Sequence, residues 1–99
     1  MDVSELIARC TGFQWDEGNL PKVWQRHHIT SEECHQVFLN RPLFAARNEK
    51  HSTEEERYYA FGHTDAERHL AVIFTVRGDL IRVISARDMN RRERRAYSK

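Results

Sequence analysis

The chain is predicted to fold as one α+β domain, and three features predict it. Residues His69–Arg77 and Leu80–Arg87 read as two strands joined at Gly78-Asp79. Apolar residues upstream recur at helical spacing behind capping signals. An arginine-dense helix, Asp88–Ser98, follows the second strand at once. Together they give a small antiparallel sheet packed with N-terminal helices and a basic C-terminal helix.

Each element has its own local justification. Val3, Leu6, Ile7 and Cys10 fall at i, i+3, i+4 and i+7, one face of a short helix that Asp2 and Glu5 open in the manner of a capping box and Gly12 can end. Phe13-Gln14-Trp15 alternates as a minimal strand. A second helix starts at Asn19, because Pro21 then sits in the first turn, where its missing N–H is harmless. Its apolar face is Leu20, Val23, Trp24 and His27. Thr30 and Glu33 form a capping box for a third helix, with Ile29 against Cys34 as its hydrophobic staple. Asn40 is expected to take the left-handed stop, with Pro42 barring continuation. Leu43–Ala46 and Arg57–His63 are strands, separated by the polar loop Arg47–Glu56.

With a two-residue turn at Gly78-Asp79, residues of the last two strands pair so that their numbers sum to 157. Val76/Ile81, Phe74/Val83 and Val72/Ser85 then share the core face. Arg77/Leu80, Thr75/Arg82, Ile73/Ile84 and Ala71/Ala86 occupy the other, which is apolar in the middle and carries hydroxyl and guanidinium groups toward the turn. The terminal helix, with Asp88 as N-cap, has only Met89, Ala96 and Tyr97 as an apolar stripe. Arg91, Arg92, Arg94 and Arg95 cannot all be buried, so it docks by one edge.

Composition narrows the function classes. Arg77 to Lys99 holds eight basic and three acidic residues, while the other 76 hold eight basic and twelve acidic. A formal net charge of +1 thus hides a cationic C-terminal edge on a mildly acidic body. Such an edge attracts a polyanion or an acidic partner. No apolar run is long enough for a membrane span, and the N-terminus lacks the basic and apolar regions of a signal peptide. Cys10 and Cys34 lack metal-ligand spacing and read as reduced packing cysteines, so the cytoplasm is expected. His28, His35, His51, His63 and His69 show no HxxxH or HxH spacing. No metal site and no cofactor are expected.

Several motifs coincide in order and spacing with a known family. FQWDEGN, RHHITSEECHQVF, ERYYAFGHT, LAVIFTVRGDLIRVISAR and ERRAY, running from Phe13 to Tyr97, resemble the BrnT toxins of bacterial type II toxin–antitoxin systems. The resemblance implies a RelE-like ribonuclease fold over residues 1–99, with residues 1–12 as an N-terminal extension outside the family's shorter pattern. It also implies an RNA substrate and a BrnA-type ribbon-helix-helix antitoxin, through whose complex operator DNA would be contacted. Two positions depart from the pattern: His27-His28 stands where the family commonly has His-Gly, and Val23 where an Asn often sits. A glycine at 28 would permit a left-handed turn, so the connection is expected to bend differently here.

Metal-free RNA cleavage needs a base for the 2′-OH, cations for the phosphorane charge and an acid for the leaving 5′-oxygen. Planar guanidiniums suit the middle role. The candidates are Arg57, Arg77 and Arg87 for phosphate, and His27, Glu56 and Tyr97 for proton transfer. Arg68, Arg82, Arg91, Arg94 and Arg95 are candidates for RNA binding. Each has a plainer reading beside this one. The arginines are ordinary surface charges, His27 and Tyr97 are packed side chains, Glu56 fixes Arg57, and Glu93 tethers Arg87 or Arg94. The rival reading of the whole chain is a binding module or co-repressor whose basic edge grips an antitoxin or DNA without catalysis.

Overall fold

The structure, a computed structural model, describes residues 2–16, 28–48 and 55–98. Among these are three helices, α1 (Val3–Arg9), α2 (Ser31–Leu39) and α3 (Arg91–Tyr97). Five strands accompany them: β1 (Gly12–Phe13), β2 (Phe44–Arg47), β3 (Tyr58–His63), β4 (His69–Arg77) and β5 (Leu80–Asp88). The fold is α+β. The helix expected from Asn19, including His27, lies outside the described residues.

The sheet order is β1-β5-β4-β3-β2. β2 to β5 form the expected antiparallel meander. The sheet as a whole is mixed, because β1 joins β5 in parallel, Gly12 beside Leu80 and Phe13 beside Ile81. The reason lies in α1, which packs beside β2 and delivers the chain to the Gly78-Asp79 turn. There the Thr11 N–H donates to Asp79 O at 2.8 Å, and the segment can run only in the direction of β5. Gly78 sits at φ 64°, the left-handed region that the tight turn needs. α1 ends at Arg9 rather than at Gly12, which instead begins β1.

One face of the sheet carries the core. Ala60, Leu70, Val72, Phe74, Ile81, Val83 and Ala86 pack against Ile29, Cys34, Val37 and Phe38 of α2 and its lead-in. The Thr30–Glu33 capping box is complete, and both staple residues, Ile29 and Cys34, are fully buried. Gly62 lets α2 close on β3: a Cβ there would stand 2.9 Å from Val37 Cγ1 and 3.0 Å from Val37 O. On the same face His35 stacks on Phe13 with ring centroids 4.1 Å apart, and its Nε2 accepts the Trp15 indole N–H at 2.8 Å. Burial lowers the His35 pKa, which suits this neutral acceptor. Both cysteines are free, and burial pushes the Cys34 thiol up to about 12.

Two helix ends differ from expectation. Asn40 is extended (φ −89°, ψ 155°) rather than left-handed, because its amide is used elsewhere, donating to His63 O and Asp65 Oδ1. Asp88 is the last residue of β5, and Asn90 caps α3 with Glu93 as its capping-box partner. The Asp88 carboxylate instead grips the fork of Arg68, Nε–Oδ1 2.7 Å and Nη2–Oδ2 3.0 Å.

The hairpin register holds from the turn as far as Phe74/Val83 and then shifts. Ile73 pairs with Ser85, Val72 with Ala86 and Ala71 with Arg87, so Ile84 is an extra residue in β5. Such a bulge re-aims every side chain beyond it. Ser85, expected in the core, moves to the opposite face, and the buried Ala86 takes its place. Arg87 moves with Ser85.

The departure at position 28 also resolves. His28 adopts φ 52°, so this chain makes the left-handed bend without a glycine. His28→Gly is therefore expected to stabilise the domain by roughly 0.5–1 kcal/mol, the left-handed strain removed less the entropy of glycine. Thermal melting checks it: a gain of about 4 °C is expected, and an unchanged or lower Tm would contradict this reading of the bend.

Candidate functional site

The face of the sheet away from α1 and α2 is only partly covered. Along it run Arg77/Leu80, Thr75/Arg82, Ile73/Ser85 and Ala71/Arg87, with Tyr59 and Phe61 continuing the rows onto β3. α3 lies across one end, where Met89 and Tyr97 bury against Ala71 and Phe61. The rest is mixed, as expected at Arg77/Leu80 and Thr75/Arg82, while beyond the bulge Ser85 and Arg87 stand where Ile84 and Ala86 were expected.

Arg87 is held in place on this face by an ion pair. Its fork holds Glu93 in two parallel bonds, Nη1–Oε1 2.6 Å and Nη2–Oε2 2.8 Å. Glu93 Oε1 also accepts the Asn90 N–H at 2.9 Å, so the carboxylate that caps α3 is the one that orients Arg87. The hydrogen bonds hold Arg87 charged and pull the Glu93 pKa below its usual value. The Arg87 side chain remains 37% exposed, and the Tyr59 phenol is near enough to interact with it electrostatically.

Tyr97 stands beside this centre as a wall. Its hydroxyl donates to Pro42 O and meets His63 Nδ1 at 2.7 Å, so His63 must be the donor in that second bond. Burial raises the phenol's pKa. His69 contacts the ring edge-on, with centroids 5.4 Å apart, as does Phe44 at 5.6 Å.

The other sequence-derived candidates lie elsewhere. Arg77 and Arg87 are separated by six residues of β4 register, about 20 Å by strand rise, so the two cannot serve one phosphate from these positions. Arg77 makes a 3.4 Å contact with Glu55, and Arg82 is gripped by both oxygens of Asp16 at 2.8 and 3.1 Å. Arg57 immediately precedes β3 on the alternation that puts Tyr59 on the open face. The Glu56 side chain pairs with Arg47 at 2.7 Å and lines a hollow with Asp2, Val3 and Leu6, on the α1 side of the sheet. Arg68 ties Asp88 to Glu33 and His28 O, likewise away from the open face. Arg91, Arg94 and Arg95 are exposed on α3 and make no ion pair among the described residues. His27 lies outside them. The structure thus brings Arg87, Glu93 and Tyr97 together and sets Glu56 and Arg68 apart from them.

A fixed guanidinium, flanked by a phenol and a row of solvated arginines, can bind a phosphodiester and stabilise added negative charge on it. Among the described residues no group of three or more His, Cys, Asp or Glu is placed to hold a metal ion. No helix there is long and apolar enough to cross a membrane.

The model of one family matches residues 15–93, and its description is a ribonuclease toxin, BrnT, of a type II toxin–antitoxin system. The chain belongs to the BrnT family. Membership brings an RNA substrate and an antitoxin partner. The match covers Arg57, Arg77, Arg82, Arg87 and Glu93 of this BrnT chain, leaving α1, Arg94, Arg95 and Tyr97 outside. No individually curated protein matches the chain.

Sequence reasoning passed over Tyr59, Phe61, His63 and His69 as members of this face. Pairing β3 with β4 as β4 was paired with β5 would have found them, since His63 stands opposite His69 and Phe61 opposite Ala71.

Proposed function

We propose that this BrnT protein is an endoribonuclease toxin that cleaves RNA without a metal, at the Arg87 end of the open sheet face. The 2′-oxygen attacks the adjacent phosphorus as its proton passes to solvent water, and the bond to the 5′-oxygen breaks, leaving a 2′,3′-cyclic phosphate and a 5′-hydroxyl. Arg87 grips the non-bridging oxygens and stabilises the phosphorane, Glu93 orients Arg87, and the Tyr59 O–H supplies the leaving oxygen with its proton. Arg91, Arg94 and Arg95 hold the RNA backbone on one side. Arg57, Arg77 and Arg82 provide positive field further along the face. The observation that carries this reading is the extra residue Ile84, which turns Arg87 out of the core register and onto the open face beside α3. A BrnA-type ribbon-helix-helix antitoxin is the proposed partner. Its induced-fit segment would cover the mixed, arginine-flanked face, and operator DNA would be met only through that complex. The setting proposed for both is the cytoplasm.

Cleavage of purified RNA by the purified protein is expected to persist in EDTA, to give cyclic-phosphate ends, and to stop when the antitoxin is added. Activity that disappears in EDTA and returns with Mg²⁺ or Mn²⁺ would overturn the metal-free mechanism. Full activity in the antitoxin complex would overturn the neutralising role. A soluble protein without ribonuclease activity would favour the binding-module rival.

A further inference from the structure

Beside Arg87 lies a pocket that the cleavage chemistry does not use. Its lining is Phe44, Phe61, Glu93, Ala96 and Tyr97, and its volume is about 220 Å³. That is below the usual range for a drug-sized ligand, roughly 300–1,000 Å³, and suits a single flat ring. Phe44 is 49% exposed although it is a large apolar residue, and its ring stands nearly perpendicular to that of Tyr97. The Tyr97 hydroxyl is engaged by Pro42 and His63, so that residue presents only ring to the pocket. The single charged member, Glu93, is asymmetric. Oε1 accepts from both Arg87 and Asn90, whereas Oε2 accepts only from Arg87 and keeps a lone pair.

We infer that this pocket holds one nucleobase of the RNA, next to the phosphate held by Arg87, and that Phe44 and Glu93 select which base enters. The inference rests on the reading of Arg87 as the phosphate-binding group. Aromatic faces stack any base, and the exposed guanidiniums of α3 match the charge of the attached backbone. Selection comes from Glu93 Oε2, which takes one N–H. Adenine, cytosine and guanine offer an amino group there. Uracil offers its N–H only between two carbonyl oxygens, and the carboxylate repels both. The occupant is therefore an amino-bearing base.

The test is cleavage of a randomised-sequence RNA pool by the purified full chain, with the new ends sequenced, for the wild type, Phe44→Ala and Ala96→Phe. Phe44 is half exposed and Ala96 is a solvent-facing helix position, so both variants are expected to keep the wild-type circular dichroism. One position at a fixed distance from the cut is expected to be depleted of uracil in wild-type products. Phe44→Ala, which removes the stacking surface, and Ala96→Phe, which fills the space, are each expected to erase that depletion and slow cleavage roughly tenfold. Wild-type cutting with no base preference, or variants that retain both preference and rate, would overturn the pocket while leaving the ribonuclease reading intact. Absence of any cutting by the wild type would overturn both.

Discussion

Phe74→Ala unfolds the domain at ordinary growth temperatures. Phe74 is completely buried, meets Phe38 edge-on with centroids 5.1 Å apart, and lies against Tyr58 at 5.4 Å. It sits between Tyr58 and Val83 at the centre of the sheet, under α2, where no neighbour can collapse into the vacancy without breaking the register. Truncating a buried aromatic costs roughly 3–5 kcal/mol, against a total stability of about 5–15 kcal/mol for a domain of this kind. The Tm is expected to fall by on the order of 20 °C, with loss of solubility in cells. Circular dichroism during heating checks it, and a drop of only a few degrees would show that the core face is not organised around this ring.

Arg87→Ala has the opposite signature. Loss of one preorganised donor to a developing oxyanion typically costs about 10²–10³ in rate, so growth on induction should be restored. The fold should survive. The variant gives up a two-bond pair with Glu93, but at 37% and 20% side-chain exposure water reaches both partners, and its loss is worth on the order of 1 kcal/mol. Both variants are expected to look harmless in cells. Only Arg87→Ala should also yield soluble protein with the wild-type spectrum. If it melts with Phe74→Ala, the Arg87–Glu93 pair is a structural clamp between β5 and α3, and the placement of the site fails.

Much of this was legible before the structure, for local reasons. The Thr30–Glu33 box, the Ile29–Cys34 staple and the Gly78-Asp79 turn are each decided by residues a few positions apart. The register near the turn followed from the turn itself. What escaped needed long-range information. Nothing in the local pattern announces the extra residue at Ile84, since Val83, Ile84 and Ala86 are all compatible with burial. It is α3, docking Met89 and Tyr97 on Ala71, that goes with a β5 end whose Arg87 faces outward. Asp88 and Asn90 are both good helix caps by composition. Asp88 serves Arg68, which arrives from the β3–β4 connection, and Asn90 is left to cap the helix. The candidate site shows the same division. Arg87 was identifiable as a cation at a strand end, whereas its nearness to Tyr59 and Tyr97, and the distance of Glu56 on the α1 side, are facts of topology.

The most direct test of where cleavage happens is a saturation curve of cleavage rate against RNA concentration for the wild type, Arg87→Ala and Arg77→Ala, with folding verified for each. Arg87 at the reacting phosphate gives a variant whose kcat falls by about 10²–10³ even at saturating RNA. Arg77, about 20 Å along the strands, gives one whose KM rises while kcat stays near that of the wild type. The reverse pattern, with kcat lost in Arg77→Ala and only KM raised in Arg87→Ala, would contradict the assignment and move the chemistry to the turn end of the sheet.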